Sequence, residues 1–522
     1  MKRSVEEEYF DRTKRTKLTN EDFGSSIFYT SDVLSIILQF MNTNEILQNC
    51  SLVSKTWLEA SQHVKLSLDL KNNRLTNFLN SQPENLVNLT SLKCSPGSIR
   101  NRAEETLVGK KIIQVITSSN FASNLTELSL IFTQFHTEQF EKLVSCPLLC
   151  NLTTLDLFGS RIGFEGCKLL ANSQYMAKLR DLAVWDMKDD GLKKIACSKN
   201  MQNLEKLYLS SGAQGGFESL TTSPYMSNIR ELWLNYLNGD HCLKLIATSQ
   251  FVKKMENLVI RSGSVTDEGV KSIATSTNFS NLKTLSICRG NIQGSSMKLI
   301  SECAHLGKLT KLSLVNIGIG DEIKQLTSGQ NLSNLVFLSL SDNAIGDVGI
   351  TSLASSSKFS QLQTLSLSHN KISFKGVNSL SCSPHLSRLT NLSLNDNEIG
   401  WEGAKSLSTS GNVKHLKKLM LNGCKIGDKG LKYISDSTEL SNLMELGLSK
   451  NEIGNKGMSL LSKSIYLKKL NVLVLNGNNI SDIQPIVESE NFKNTKITLS
   501  KNCIELENSL QLPKNINCNG IF

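Results

Sequence analysis

LVFLSLSDN, residues 335–343, is the stretch that decides how this chain folds. Its apolar residues stand at Leu335, Leu338 and Leu340, and it closes on Asn343. The same nine-residue frame returns as LQTLSLSHN from Leu362, LTNLSLNDN from Leu389 and LMELGLSKN from Leu443. Its first leucine recurs at Leu362, Leu389, Leu416, Leu443 and Leu470, always 27 residues on. A constant period of this size marks stacked copies of one supersecondary unit. Traced backward, the frame starts at Leu309, Leu282, Met255, Ile229, Leu204, Leu179, Leu152 and Leu125, at spacings of 25 to 27, for fourteen units in all. Leu89 is a weaker start upstream, and a partial unit runs from Asn494 through Ile497 and Leu499 to Asn502.

Within each frame the second and third leucines alternate with polar residues, which predicts a short strand with one face in a core and the other outward. The third, fifth, seventh and eighth residues then face outward. The ninth suits an amide that bonds backbone groups left unpaired at a turn. Cys424 stands there in one unit, and Ser160, Gly212, Gly263 and Gly290 in earlier ones, which predicts a less regular N-terminal half. A second signature follows each strand: Ile345-Gly346-Asp347-x-Gly349, Ile426-Gly427-Asp428-x-Gly430 and Ile453-Gly454-Asn455-x-Gly457. It predicts a helix whose Asp or Asn accepts from the free N–H groups of the first turn. A strand and a helix in each period resemble the ribonuclease-inhibitor-like class of leucine-rich repeats, over roughly residues 120–500. That resemblance implies an α/β solenoid, a horseshoe with parallel strands on its concave face and helices on its convex face. Such scaffolds serve inhibitors, GTPase regulators, immune sensors and ubiquitin-ligase receptors alike, so the fold alone names no function.

The composition narrows the classes. Across 522 residues the net charge is +10, but it comes from scattered pairs such as Lys193-Lys194, Lys253-Lys254, Lys417-Lys418 and Lys468-Lys469, so no nucleic-acid partner is indicated. Thirteen cysteines are dispersed with no C-x-x-C pair, which fits reduced thiols in the cytosol or nucleus. Met1–Asn20 is charged and lacks the apolar centre of a signal peptide, and no apolar run is long enough to span a membrane. No metalloprotease, phosphate-loop, nucleophile-elbow or kinase motif occurs, and seven histidines lie between His63 and His415 without ligand spacing. The chain is therefore expected to be a non-enzyme with no cofactor and no metal.

Ahead of the repeats the pattern changes. Residues 1–26, with Glu6–Glu8 and a basic run from Arg12 to Lys17, are predicted to be a disordered charged arm. Residues 27–64 carry three short amphipathic helical patterns. In them Val33-Leu34, Ile37-Leu38-Gln39-Phe40-Met41, Glu45-Ile46-Leu47 and Val53-Ser54-Lys55-Thr56-Trp57 stand at the spacing of the F-box, which this segment resembles. Tyr29-Thr30 stands where that family has Leu-Pro. The resemblance implies a three-helix module contacting a Skp-type adaptor of a cullin ligase, through Tyr29, Val33, Leu34, Ile37, Leu38, Phe40, Met41, Ile46, Leu47, Val53 and Trp57. The alternative is a helical cap over the open end of a solenoid, on a scaffold outside any ligase. Residues 65–124 are expected to hold a transition and the first irregular repeats, 125–502 the regular ones, and 503–522 a C-terminal cap or tail.

Outward strand positions divide the repeats. Late units carry Ser339 and Ser341, Ser366 and Ser368, Ser393 and Asn395. Earlier units carry Asp156, Phe158, Trp185, Asp186, Tyr208, Glu231, Trp233, Tyr236, Arg261 and Arg289. With strands about 4.8 Å apart, Phe158, Trp185, Tyr208 and Trp233 would span about 15 Å. Aromatic and arginine side chains ringed by charge dominate binding energy at protein interfaces. These ten residues are the candidate partner-binding face. The whole then reads as a ubiquitin-ligase substrate receptor that holds a protein target on its strands.

Overall fold

A computed structural model describes residues 66–71, 89–95, 102–185, 187–210, 212–504 and 513–518. Contacts divide the chain at Asn228/Ile229 into two units. In the first, six parallel strands are described: β1 Leu66–Lys71, β2 Leu89–Ser95, β3 Glu127–Leu130, β4 Thr154–Leu157, β5 Asp181–Val184 and β6 Lys206–Leu209. The second holds β7 Glu231–Asn235, β8 Asn257–Thr266, β9 Thr284–Asn291, β10 Lys311–Val315, β11 Phe337–Ser339, β12 Thr364–Ser366, β13 Asn391–Ser393, β14 Lys418–Met420, β15 Glu445–Gly447, β16 Val472–Val474, β17 Lys496–Thr498 and β18 Ile516–Asn517, again parallel. Each is a leucine-rich-repeat stack in which strand and helix alternate.

The repeat leucines share one register. Leu338 pairs with Leu365 and Leu365 with Leu392, and all three are buried. Ile350 and Leu353 on the helix Asp347–Ala354 close the core from the other side, and Phe359 fills it from the short turn that follows. Burying such side chains is worth about 1.5–3 kcal/mol each, and no single repeat can bury them without its neighbours.

The ninth-position asparagines form a ladder from Asn343 to Asn502. Asn370 shows the pattern: its Nδ2 donates to the carbonyls of Leu340 (3.0 Å) and Leu367 (2.9 Å), and its Oδ1 accepts from the N–H groups of Asn343 (3.1 Å) and Ile345 (2.9 Å). One amide thus satisfies four backbone groups across two repeats. Cys424 keeps the donating half, with Sγ 3.1 Å from the Leu394 carbonyl, and offers the backbone N–H groups of Asn397 and Asp396 only a weakly accepting sulfur; burial pushes its thiol up to about 12. Ser160 does a smaller version of the same job, accepting from Thr133 N–H at 2.9 Å and donating to the Leu130 carbonyl at 2.6 Å. Gly263 and Gly290 offer no side chain. There the chain continues as long strands, β8 and β9, and a Cβ on either glycine would lie 2.7 Å from a carbonyl oxygen of the preceding repeat.

The helix-start acids act differently from the expectation. Asp347 does not cap its own helix, whose N-cap Gly346 has no side-chain bond. Its Oδ1 reaches the next repeat and accepts from Ser373 N–H and Gly376 N–H, both at 2.9 Å. Asp321 serves Gly346 and Gly349 in the same way, and Asp428 serves Gly454. The carboxylate occupies the space where a side chain would otherwise grow, since a Cβ at Gly376 would stand 2.6 Å from Asp347 Oδ1.

A hydroxyl ladder on the helical side was not anticipated. Ser223, Ser437 and Ser464 each donate to a carbonyl near the end of the helix in the preceding repeat, at 2.6, 2.7 and 2.6 Å. Orphan carbonyls at a helix C-terminus need such partners.

Candidate functional site

In the first unit, β4 and β5 set Asp156 opposite Ala183, and β6 continues the row with Tyr208. Just past the strand ends three rings meet edge to face: Phe132 with Phe158 at 5.8 Å and 82°, and Phe158 with Trp185 at 4.8 Å and 74°. Each such contact is worth about 0.5–1.5 kcal/mol. Asp156 Oδ1 accepts from the Phe158 N–H at 2.9 Å and its Oδ2 from Ser129 Oγ at 3.1 Å, which fixes the chain carrying the central ring. The rings remain open to solvent, Phe132 at 54% and Phe158 at 37%, while Trp185 and Tyr208 are half-buried. Phe132 was missed in the sequence although it occupies an eighth, outward position. Its backbone is left-handed (φ 54°), and its ring lies over Gly159, whose φ of 75° and missing side chain make room for it. Asp186 lies outside the described residues.

In the second unit Trp233 is clamped. Its Nε1 donates to Glu231 Oε1 at 2.7 Å, and the Arg261 guanidinium stands 5.0 Å from its ring centroid. Glu231 Oε2 also accepts from Asn257 Nδ2 at 3.2 Å. Tyr236 is 59% exposed, and both Tyr236 and Arg289 are carried on left-handed backbone at the strand ends. Glu256, at the strand entrance, accepts from Lys283 Nζ (2.7 Å) and Arg230 Nη1 (2.6 Å), which holds its carboxyl below the ordinary range. All nine described candidates therefore sit at or just beyond strands, five of them among half-buried or exposed aromatics.

Later strands present a different surface. Ser341 and Ser366 hydroxyls meet at 3.0 Å, Ser368 and Ser393 at 2.8 Å, and Asn395 Oδ1 accepts from Asn422 N–H at 2.9 Å and Asn422 Nδ2 at 3.0 Å. Among the described residues no group of His, Cys, Asp or Glu is placed to hold a metal ion, and no helix is long and apolar enough to cross a membrane.

Residues 30–68 match the F-box domain, and residues 149–171, 414–435 and 439–462 match the leucine-rich repeat. The chain carries an F-box domain and leucine-rich repeats. Residues 193–415, which include Tyr208, Trp233 and Arg261, match the PRAME C-terminal domain. The F-box match begins one residue after Tyr29, and all eleven residues expected to face an adaptor, Tyr29 to Trp57, lie outside the described residues. An internalin from Listeria monocytogenes is similar in structure over 71% of this chain and 89% of its own, at 20% identity and a TM-score of 0.40. No curated protein matches the chain.

Proposed function

We propose that this F-box chain is the substrate receptor of a cullin-type ubiquitin ligase. Residues 27–64 dock a Skp-type adaptor, and the aromatic strand ends hold a protein target for ubiquitin transfer. The observation that carries the reading is the F-box match at residues 30–68 ahead of repeats whose early strands expose Phe132, Phe158 and Tyr236. Exposed rings already ordered by their neighbours give up little conformational freedom on binding, which is what an interface anchor needs. The mechanism is proximity: a rigid scaffold raises the local concentration of a lysine near the charged enzyme and needs no catalytic side chain of its own. Asp156, Phe158, Trp185, Asp186 and Tyr208 in the first unit, with Glu231, Trp233, Tyr236, Arg261 and Arg289 in the second, are the target-facing residues of this reading.

Two variants test it. Leu34→Ala with Trp57→Ala is expected to lose adaptor and cullin from a pull-down of the full chain; recovery of neither by the unaltered chain overturns the ligase assignment. Trp185→Ala with Trp233→Ala is expected to keep adaptor and cullin but lose proteins that accumulate when the proteasome is inhibited. Retained capture removes these strands as the target site.

A further inference from the structure

In the second unit the loop ahead of each helix from Asp267–Thr275 to Asn455–Ser462 takes one of two forms, and the residue at the start of the previous helix selects between them. Where that residue is Asp240, Asp267, Asp321, Asp347 or Asp428, its carboxylate accepts from the loop N–H of Thr266, Gln293, Gly346, Ser373 or Gly454, and the loop is extended. Where it is Gly294, Phe374 or Trp401 no carboxylate is present. The loop glycine then turns left-handed (Gly320 φ 52°, Gly400 φ 66°, Gly427 φ 60°), and its N–H bonds forward to the carbonyl of Asn343, Cys424 or Asn451. Phe374 and Trp401 thus replace a structural acid in two consecutive repeats, at the cost of a charged bond and of left-handed backbone. A local rule broken twice in succession, with bulky aromatics in place of the acid, marks a site kept for something other than folding.

What surrounds the two rings indicates its use. Phe374 is 42% exposed. Trp401 stacks on Tyr433 at 6.2 Å and 17°, with Lys429 Nζ 3.1 Å from the Trp401 centroid and Lys405 Nζ 5.7 Å from that of Tyr433. The helices Phe374–Ser381, Gly400–Thr409 and Gly427–Ser435 carry exposed Lys375, Lys405, Lys429 and Lys432 against only Glu402 and Asp428, and Asp428 already serves Gly454. Among the described residues none of the four lysines has an ion-pair partner, whereas Lys418 and Lys425 nearby are paired with Glu445 and Glu398. Cations held over ring faces are pinned in place and keep donors free for a ligand.

We propose that this helix face is a second docking surface, separate from the strand ends, that takes an acidic segment of a partner protein: carboxylates on the four lysines, an apolar residue against Phe374 and Trp401. The test uses the full chain and a fluorescein-labelled twelve-residue peptide of glutamate and aspartate around a central leucine, read by anisotropy. Binding is expected to fall steeply with added salt. It is expected to weaken at least about tenfold in Lys405→Glu/Lys429→Glu. Phe374→Asp/Trp401→Asp is the decisive variant, because it installs the residue that other repeats use here and keeps the fold, verified by a melting temperature that does not fall, while abolishing the peptide's binding. Three outcomes overturn the proposal: no binding by the unaltered chain, equal binding by the aspartate variant, or tighter binding of a single-stranded oligonucleotide or of anionic vesicles at the same face.

Discussion

Strand ends between residues 335 and 502 bond to one another, whereas those between 129 and 289 display rings and guanidinium groups that their neighbours position without covering. In the later region the amides of Asn370 and its counterparts are spent on backbone, and Ser341, Ser366, Ser368 and Ser393 pair off in hydroxyl contacts. In the earlier region the ninth position is taken by Ser160, Gly212, Gly263 and Gly290, or by Thr133, Met187 and Leu237, and nowhere by an amide, and the polar side chains nearby hold aromatics: Asp156 fixes Phe158 and Glu231 fixes Trp233. The same fold thus spends its polar side chains on cohesion in one stretch and on positioning aromatic rings in the other, the stretch where the proposed target site lies. Regular repeats are the scaffold, and departures from the repeat mark where partners are expected.

That division can be broken by measurement. Asn370→Ala would orphan the N–H groups of Asn343 and Ile345, while the Leu340 and Leu367 carbonyls keep the amides of Asn343 and Asn397, and is expected to cost about 2 kcal/mol or more in chemical denaturation, against about 1 kcal/mol for Ser160→Ala. Equal costs would erase the distinction between the two regions. Gly457→Ala sets a Cβ against both Asp428 Oδ1 and Ile453 Cγ2 and is expected to cost about 1–3 kcal/mol, relieved only in part when combined with Asp428→Ala. Cys424→Asn replaces a weakly accepting sulfur by an amide oxygen and is expected to stabilise by about 1 kcal/mol. The Cys424 thiol, pushed up to about 12, should resist alkylation at pH 8 while exposed Cys197 and Cys382 react. The smallest effect concerns Glu256. Lys283 and Arg230 lower its folded pKa below the unfolded value, so its contribution is present above the ordinary carboxylate range and lost as the pH falls through the folded pKa. Its partners are 57% and 47% exposed, so screening keeps Glu256→Gln to a few tenths of a kcal/mol, read as a flatter acid limb of the stability curve.

The strand register was legible because a 27-residue period leaves the core leucines no other alignment, and Leu338, Leu365 and Leu392 line up accordingly. The asparagine role was legible too, since a buried amide at a turn has few uses. Three features were not. The serine ladder hides because a periodic serine reads equally well as solvated surface. The target of Asp347 hides because its partner lies 26 residues on, in a loop whose own sequence looks self-sufficient. Phe132 hides because its role depends on the left-handed turn and the bare Gly159 beneath it, neither of which hydrophobic patterning reports.

The bond from Asp347 to Ser373 also defines what can be exchanged. Because each helix-start residue dictates the loop one period downstream, the inheritable cassette runs from one helix start to the residue before the next, not from strand to strand. Excising residues 374–400 leaves Ser373 matched to Asp347 and Gly427 matched to Trp401. A deletion of the same length taken from strand to strand, such as residues 364–390, would join Asp347 to a loop built for Phe374. Duplication and loss within this chain are constrained by that grammar, which also gives the cutting points for splicing its repeats into other scaffolds.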